Sequence, residues 1–343
     1  MSSHIIFRED RILVLDQRKL PFKEVFVPLI TLDDFVKAIN GMIVRGAPLI
    51  GIVSAYGFAF GVKELLEKKG ELTKDDIKRI YSKLAKTRPT AHNLFWALDK
   101  MKKGYEKHKD ERDLPRKLLE IARFIHEEDI KNNIMLAERG AELVNDGDTI
   151  LSHCNAGELA TGGYGTALGI IRKAKEQGKR TKVIITETRP YFQGARLSAY
   201  ELKKQGINFE IVPDNHVGLL MKKGMIHKVI VGADRVALNG DTANKVGTFM
   251  IALCAKNENV PFFVACCLST FDNSLPSGQS IPIEERDGKE VIKIGKKYIT
   301  LKSYKALYYS FDITPNYLIS GFITEKGVVV QPFTENIRLL FKE

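Results

Sequence analysis

Cys154 and Asp234 are among the side chains whose types and positions could carry chemistry. Cys154 opens HCNAGELATGGYGT, residues 153–166, where a thiol is followed at once by a glycine-dense turn and then by a helix-forming run. A thiolate becomes an available base or nucleophile where positive charge favours it. Asp234 lies in VIVGADRV, directly after a β-type run. A carboxyl group serves as a general acid near neutral pH only if its pKa rises by several units from about 4, which burial or a nearby phosphate dianion would do. Each residue also has a plainer reading. A free cysteine is commonly a small buried hydrophobe, and an aspartate before Arg235 is commonly a helix cap or its ion-pair partner. Spacing alone leaves both questions open. His153 and Cys154 alternate along an extended strand and so point to opposite faces, which argues against a Cys–His pair between them. Cys266 and Cys267 end another strand with no glycine loop or charge after them, and for these the plain reading is kept.

Around this pair stand groups able to hold an anion. Gly157, Gly162, Gly163 and Gly165 permit positive φ and close backbone approach. A helix N-terminus after such a loop offers N–H groups to a phosphate. The pattern is neither a Walker loop nor GxGxxG, and helix–strand packing explains it about as well. Arg45 (VRGAP), Arg88 (KTRPT) and Arg189 (ETRPY) stand beside Gly or Pro. Proline favours a first helical turn, so each guanidinium is expected at a helix start, suited to bidentate contact with phosphate. Asn244 and Lys245, read as the start of a helix after Asp234, would add an amide and an ammonium at the same sheet edge. Their plain reading is an exposed helix start.

The elements that must position these groups change character along the chain. RILVLD and EVFVPLI read as strands around QRKLPFK, and Thr31, Asp33 and Asp34 open a helix with Ile39, Met42 and Ile43 at helical spacing. Residues 73–87 and 91–107 read as further helices, and 114–144 as one long helix or a pair bridging two domains. From residue 148, TILSHC, KVIIT, FEIVP, KVIVGA and FFVACC alternate with helix-like runs at 158–176, 193–206, 215–223 and 242–257. This alternation predicts βαβ units around a parallel sheet. Ligands of such sheets sit beyond the carboxyl ends of the strands, where Cys154, Glu187, Asp214 and Asp234 fall.

Composition bounds the class. The chain of 343 residues is 44% hydrophobic and 28% charged, as in a soluble enzyme of two domains. The start MSSHIIFRED lacks the pattern of a signal peptide. Residues 48–62 are too short and glycine-rich for a membrane span and read as a buried helix. Four cysteines without CxxC spacing speak against a disulfide framework or zinc site and fit a reducing cytoplasm. The net charge of +11 is spread along the chain with acids interleaved and without a nucleic-acid motif, and it suits a small anionic substrate.

The segments MIVRGAP, TRPTAHNLFWALDKM, LSHCNAGELATGGYGTALGIIR, ETRPYFQGARLSAYEL, IVGADRVALNGDTANKVGT and STFDNSLPSGQSIPIEER, in this order from about residue 13 to 330, resemble the S-methyl-5-thioribose-1-phosphate isomerases. These belong to the family that includes the regulatory subunits of translation initiation factor 2B. The resemblance implies an aldose–ketose isomerase of methionine salvage acting on 5-methylthioribose 1-phosphate without metal or organic cofactor. It implies catalytic roles for Cys154 and Asp234, and substrate-binding roles for Arg45, Gly46, Ala47, Arg88, Gln193, Asn244 and Lys245. A phosphate loop at Gly162, Gly163 and Gly165 is the accompanying expectation, and Met42, Phe95 and Trp96 are candidates to shield a methylthio group, with core packing the plainer role. The implied architecture is α/β: a mainly helical N-terminal domain with a short β segment over 1–125 and a Rossmann-like catalytic domain over 126–343, assembled as a homodimer. No nucleic acid or membrane partner is expected.

His216-Val217 and Glu158 depart from the family pattern, where small or apolar residues are commoner, and so bear on the pocket edge or the dimer contact. The rival activities are isomerisation of ribose 1,5-bisphosphate or 5-deoxyribose 1-phosphate. A non-catalytic subunit like those of initiation factor 2B is the rival from another class.

Overall fold

The computed structural model describes residues 4–8, 10–88 and 91–342. They form two compact units, one of residues 1–134 with 158–165, the other of 135–157 with 166–343.

The first unit begins with an antiparallel meander, β1 (Ile5–Arg8), β2 (Arg11–Leu15) and β3 (Phe26–Leu29). Four helices follow: α1 (Leu32–Asn40), α2 (Ala47–Lys69), α3 (Lys74–Ala85) and α4 (His92–His108). Thr31 caps α1 in a reciprocal capping box with Asp34, as its sequence signature predicts. Helix α2 is apolar and long enough to cross a membrane, but 78% of its most apolar window is buried within the protein. Leu49, Ile52, Tyr56 and Phe58 pack there with Phe35, Ile39, Leu94 and Leu98, so α2 is the core helix around which the others close. Phe95 and Trp96 lie against this core. Within 114–144 there is one long helix rather than a pair, α5 (Leu114–Ala141). It runs unbroken past residue 125 and ends in the second unit.

The second unit is built on a seven-stranded sheet. The five expected strands are β4 (Thr149–Ser152), β5 (Lys182–Thr186), β6 (Phe209–Val212), β7 (Lys228–Val231) and β10 (Phe262–Ala265). They are joined by β15 (Gly321–Thr324), all parallel, and by antiparallel β16 (Gly327–Val329) at one edge. The spatial order β6-β5-β4-β7-β10-β15 is the 3-2-1-4-5-6 arrangement of a doubly wound dinucleotide-fold sheet. Helices cover both faces, so the strands read as continuous apolar runs. Ile150, Val183 and Ile185 pack with α6 (Ala167–Glu176) and α7 (Ala199–Lys204). Leu151, Ile184, Val229 and Val231 pack with α8 (Val217–Lys222), α9 (Thr248–Asn257) and α10 (Phe333–Leu340).

Three expected helices are shorter than the sequence suggests. A single turn at Glu158–Ala160 precedes α6, which begins only at Ala167. A π-helical turn at Gly194–Ser198 leads into α7. The run 242–257 divides into β9 (Thr242–Lys245) and α9. Strand β9 belongs to a second sheet that the sequence does not announce, ordered β11-β8-β9-β14, with β8 (Arg235–Ala237), β11 (Phe271–Asp272) and β14 (Phe311–Thr314). A hairpin of β12 (Lys293–Ile294) and β13 (Lys297–Tyr298) completes the unit.

Candidate active site

Strand order reverses between β4 and β7, which pair directly through Ile150 with Lys228 and Leu151 with Val229. Crevices at such a reversal, outside the carboxyl ends of the strands, are where ligands bind in this architecture. Cys154 follows β4 and Asp234 follows β7. The two loops touch: a Cβ on Gly232 would lie 2.8 Å from the Ala156 methyl, so only glycine lets the chain after β7 pass this close.

Cys154 is half-buried and adopts φ +62, a left-handed conformation uncommon outside glycine. Both sides of the residue are held. Its N–H donates to Thr188 Oγ1 at 2.9 Å, and its carbonyl accepts from Ser198 Oγ at 2.7 Å. Thr188 is itself at φ +63. The Asp214 carboxylate fixes the turn by accepting the N–H groups of Thr188 and Arg189, each at 2.7 Å. Asp214 in turn combines with burial to raise the Glu187 pKa, burial being the larger cause. His153 is fully enclosed, with Nδ1 2.6 Å from Thr186 Oγ1 and Nε2 3.0 Å from the Val246 carbonyl. Burial holds its pKa below the usual histidine value.

Asp234 is half-buried, and its N–H donates to the Ala243 carbonyl on β9 at 2.9 Å. A strand, β8, follows it, so it does not cap a helix. Arg235 lies 3.5 Å from Asp272.

Asn244 and Lys245 are on β9, both buried, which corrects the reading of an exposed helix start. Pairing with β14, Asn244 opposite Asp312 and Lys245 opposite Phe311, makes the segment extended. Asn244 Nδ2 donates to Thr248 Oγ1 at 3.1 Å, and Lys245 Nζ donates to the Ser310 carbonyl at 2.8 Å over the Phe311 ring. Asp312 caps α9 through the Gly247 and Phe249 N–H groups, while burial, the largest influence, pushes its pKa up to about 6. Gln193 is buried at the turn before Gly194, and its Oε1 has no hydrogen-bond partner among the described residues. An inward-facing acceptor of this kind suits a ligand hydroxyl. Arg189 does not open a regular helix. Its Nη2 donates to the Val291 carbonyl at 2.5 Å, and its guanidinium lies over the Phe192 ring.

The first unit holds the remaining candidates. Arg45 is buried beside Gly46, the N-cap of α2, and Ala47 is that helix's first residue. Gly46 has φ +99, and a Cβ there would meet the Ala160 carbonyl oxygen at 2.6 Å. Arg88 is half-buried after α3, whereas Pro89 and Thr90 of its motif lie outside the described residues.

The glycine loop does not present itself as a phosphate cradle. The Gly162 N–H donates to Asp129 Oδ2 at 2.7 Å, that of Gly163 to Thr161 Oγ1 at 3.2 Å, and that of Gly165 to the Gly163 carbonyl at 2.9 Å. All three donors are spent within the first unit. Gln17, His4 and His126 bond the carbonyls of Leu159, Thr161 and Gly162. Of the departures from the family pattern, Glu158 lies 3.9 Å from His4, and Val217 fills the core behind β7 while His216 is exposed.

Sequence reasoning passed over Thr186, Thr188 and Ser198. The available signal was the carboxyl end of β5, the same sheet edge that pointed to Glu187.

The model of the initiation factor 2 subunit family matches residues 43–331. The methylthioribose-1-phosphate isomerase of Thermotoga petrophila is 51% identical over 329 residues, 96% of this chain and 95% of the relative. The 5-methylthioribose 1-phosphate isomerase structure from Pyrococcus horikoshii superposes with a TM-score of 0.89 at 37% identity, over 99% of this chain and 96% of the other. A structure from A. fulgidus described as translation initiation factor eIF-2B, subunit delta, has a TM-score of 0.83 at 38% identity, over 98% of each chain. The sheet order, the strand-end cysteine and aspartate, and these full-length likenesses agree, and the chain belongs to the initiation factor 2 subunit family.

Proposed function

We propose that the chain isomerises S-methyl-5-thio-α-D-ribose 1-phosphate to S-methyl-5-thio-D-ribulose 1-phosphate, an aldose–ketose conversion of methionine salvage. The observation that carries this reading is the position of Cys154 and Asp234 at the strand-order reversal, on the ends of paired strands. The names of relatives near 50% identity over nearly the whole chain supply the substrate. In this reading Arg45, Gly46, Ala47, Arg88, Gln193, Asn244 and Lys245 bind the sugar phosphate. The spent N–H groups of Gly162, Gly163 and Gly165 leave phosphate binding to the cationic side chains.

The chemistry follows from the substrate. Phosphate on C1 prevents opening to a free aldehyde. Asp234, protonated, gives its proton to the ring oxygen, and the bond from that oxygen to C1 breaks. The Cys154 thiolate then takes the C2 proton, leaving an enol that still carries the phosphate. Return of a proton to C1 and loss of the C2 hydroxyl proton give the ketose. In the alternative route hydrogen moves from C2 to C1 as hydride, a step that a dry, apolar site favours.

The enzyme acts as a cytoplasmic homodimer in this reading, and sedimentation of the purified chain tests the assembly. Turnover of 5-methylthioribose 1-phosphate, ribose 1,5-bisphosphate and 5-deoxyribose 1-phosphate, assayed side by side, tests the substrate. A preference for the bisphosphate would move the assignment to that sugar. The A. fulgidus likeness keeps one second reading in view, a binding subunit without turnover; inactivity on all three sugars combined with tight binding of an initiation factor would establish it.

A further inference from the structure

The residues behind Cys154 form a directional chain of hydrogen bonds. Its far end is set by the Val246 carbonyl, which can only accept, so His153 Nε2 must carry the proton of their 3.0 Å bond. Burial keeps the ring neutral, which leaves Nδ1 bare as an acceptor. The Thr186 hydroxyl, 2.6 Å away, therefore donates to Nδ1. With its one proton committed there, Thr186 cannot donate to Thr188. The Thr188 hydroxyl proton must turn toward Thr186, whose Oγ1 lies at 3.1 Å and whose carbonyl lies at 3.3 Å. Its lone pair is thereby left for the Cys154 N–H, at 2.9 Å.

We propose that Thr188 is a positioning residue for the Cys154 thiol, with Thr186 and His153 fixing the direction in which its hydroxyl points. The proposal rests on the catalytic reading of Cys154. Three observations converge on it. Cys154 and Thr188 both occupy the left-handed region, φ +62 and +63, and for a β-branched residue this is a genuine outlier that its surroundings must enforce. Thr186, Thr188 and His153 are almost wholly buried, so no water competes for these bonds. The turn carrying Thr188 is pinned from beneath by both oxygens of Asp214. On the far side Ser198 Oγ grips the Cys154 carbonyl and receives Asn155 Nδ2 at 3.2 Å, and Asn155 Nδ2 also donates to Glu201 Oε1 at 2.7 Å. The two peptide groups flanking the thiol are thus bonded to hydroxyls of one segment. A shift in either would rotate the Cys154 Cα–Cβ bond and with it the sulfur.

The test compares Thr188→Val, which keeps the branched shape and removes only the hydroxyl, with Thr188→Ser, which restores it, and with Cys154→Ala. Two readouts are taken: steady-state kinetics on 5-methylthioribose 1-phosphate, and the rate at which iodoacetamide alkylates Cys154 without substrate, located by mass spectrometry. Misplacing a reacting group by about 1 Å can cost roughly 100-fold, so Thr188→Val should lower kcat by about 10- to 100-fold while KM changes by less than about threefold. The alkylation rate should change in the same variant, and Thr188→Ser should bring both readouts back toward the parent. Parental kcat and alkylation in Thr188→Val overturn the proposal, even where Cys154→Ala is inactive and the catalytic reading stands. Parental turnover in Cys154→Ala overturns the catalytic reading instead, and alkylation alone then decides whether Thr188 sets the thiol. Should Thr188→Val fail to fold, Thr186→Val carries the test: a fall in kcat with altered alkylation supports the proposal, and parental values overturn it.

Discussion

The Thr188 hydroxyl accepts the Cys154 N–H at 2.9 Å, and both residues sit at positive φ. Cys154 lies two residues past the end of β4 and Thr188 two residues past the end of its neighbour β5, so the bond joins the segments that leave the carboxyl ends of two adjacent parallel strands. Strain of about 1–3 kcal/mol at each such residue persists only where the surroundings over-determine it. Here the determinants are side chains of Asp214, Thr186 and Ser198, all from the same unit.

Replacing Asp234 by Asn removes the transferable proton and leaves the shape. A positioned general acid contributes about 10²- to 10⁴-fold, and turnover should fall by that range. Thermal unfolding should stay close to the parent, and calorimetry should find substrate affinity within a few-fold. Near-parental turnover would remove Asp234 from the mechanism.

Running the reaction in D₂O separates the two routes for hydrogen. Solvent deuterium at C1 of the ketose, read by NMR or mass spectrometry, is the outcome for proton transfer through Cys154. Full retention of the substrate's hydrogen is the outcome for a hydride shift.

Gly46→Ala should destabilise the first unit. The added Cβ would stand 2.6 Å from the Ala160 carbonyl oxygen, and φ +99 is unfavourable for any other residue. Backbone strain and overpacking together make a loss of about 2–4 kcal/mol the expected size, measured by denaturant unfolding. Parental stability would mean that the 158–165 segment yields easily.

Asp312 makes stability depend on pH in a defined direction. Its folded pKa of about 6 lies above the ordinary 3.8, burial outweighing the Gly247 and Phe249 N–H groups and Lys245. A raised carboxyl pKa means that the folded state binds the extra proton. The stabilisation is therefore fully present below pH 4 and is lost as pH rises through 6. Relative to Asp312→Asn, the parent should lose on the order of 3 kcal/mol across that window and change little above it. Urea unfolding of both proteins from pH 4 to 7.5 reads this directly, and a difference independent of pH would contradict it.

Much of the fold was legible because its signals are local. Val183–Ile185 and Val229–Val231 are continuous apolar runs, as strands covered on both faces must be. The Thr31 cap and the apolar span of α2 were equally plain. The Asn244-Lys245 segment was misread because TANK carries no periodicity of its own. It is a strand on account of β14, whose Asp312 stands opposite Asn244 from the far end of the unit. Context decides such segments more than propensity does.

The same division runs through the site. The residue types, and their arrival at the ends of strands, are properties of the chain read in order, since alternation and helical period extend only over neighbours. That order placed Cys154 and Asp234 at strand ends together with Glu187 and Asp214, and the family resemblance then chose between them. The availability of an N–H or the direction of a hydroxyl is different, because each depends on which distant group closes upon it. The Gly162 N–H meets a carboxylate 33 positions earlier, and the Thr186 hydroxyl meets a histidine 33 positions earlier. The N–H groups of a glycine loop that reads as an anion cradle are therefore already satisfied, and two threonines that sequence reasoning passed over bond to each other, one of them also to the Cys154 backbone N–H.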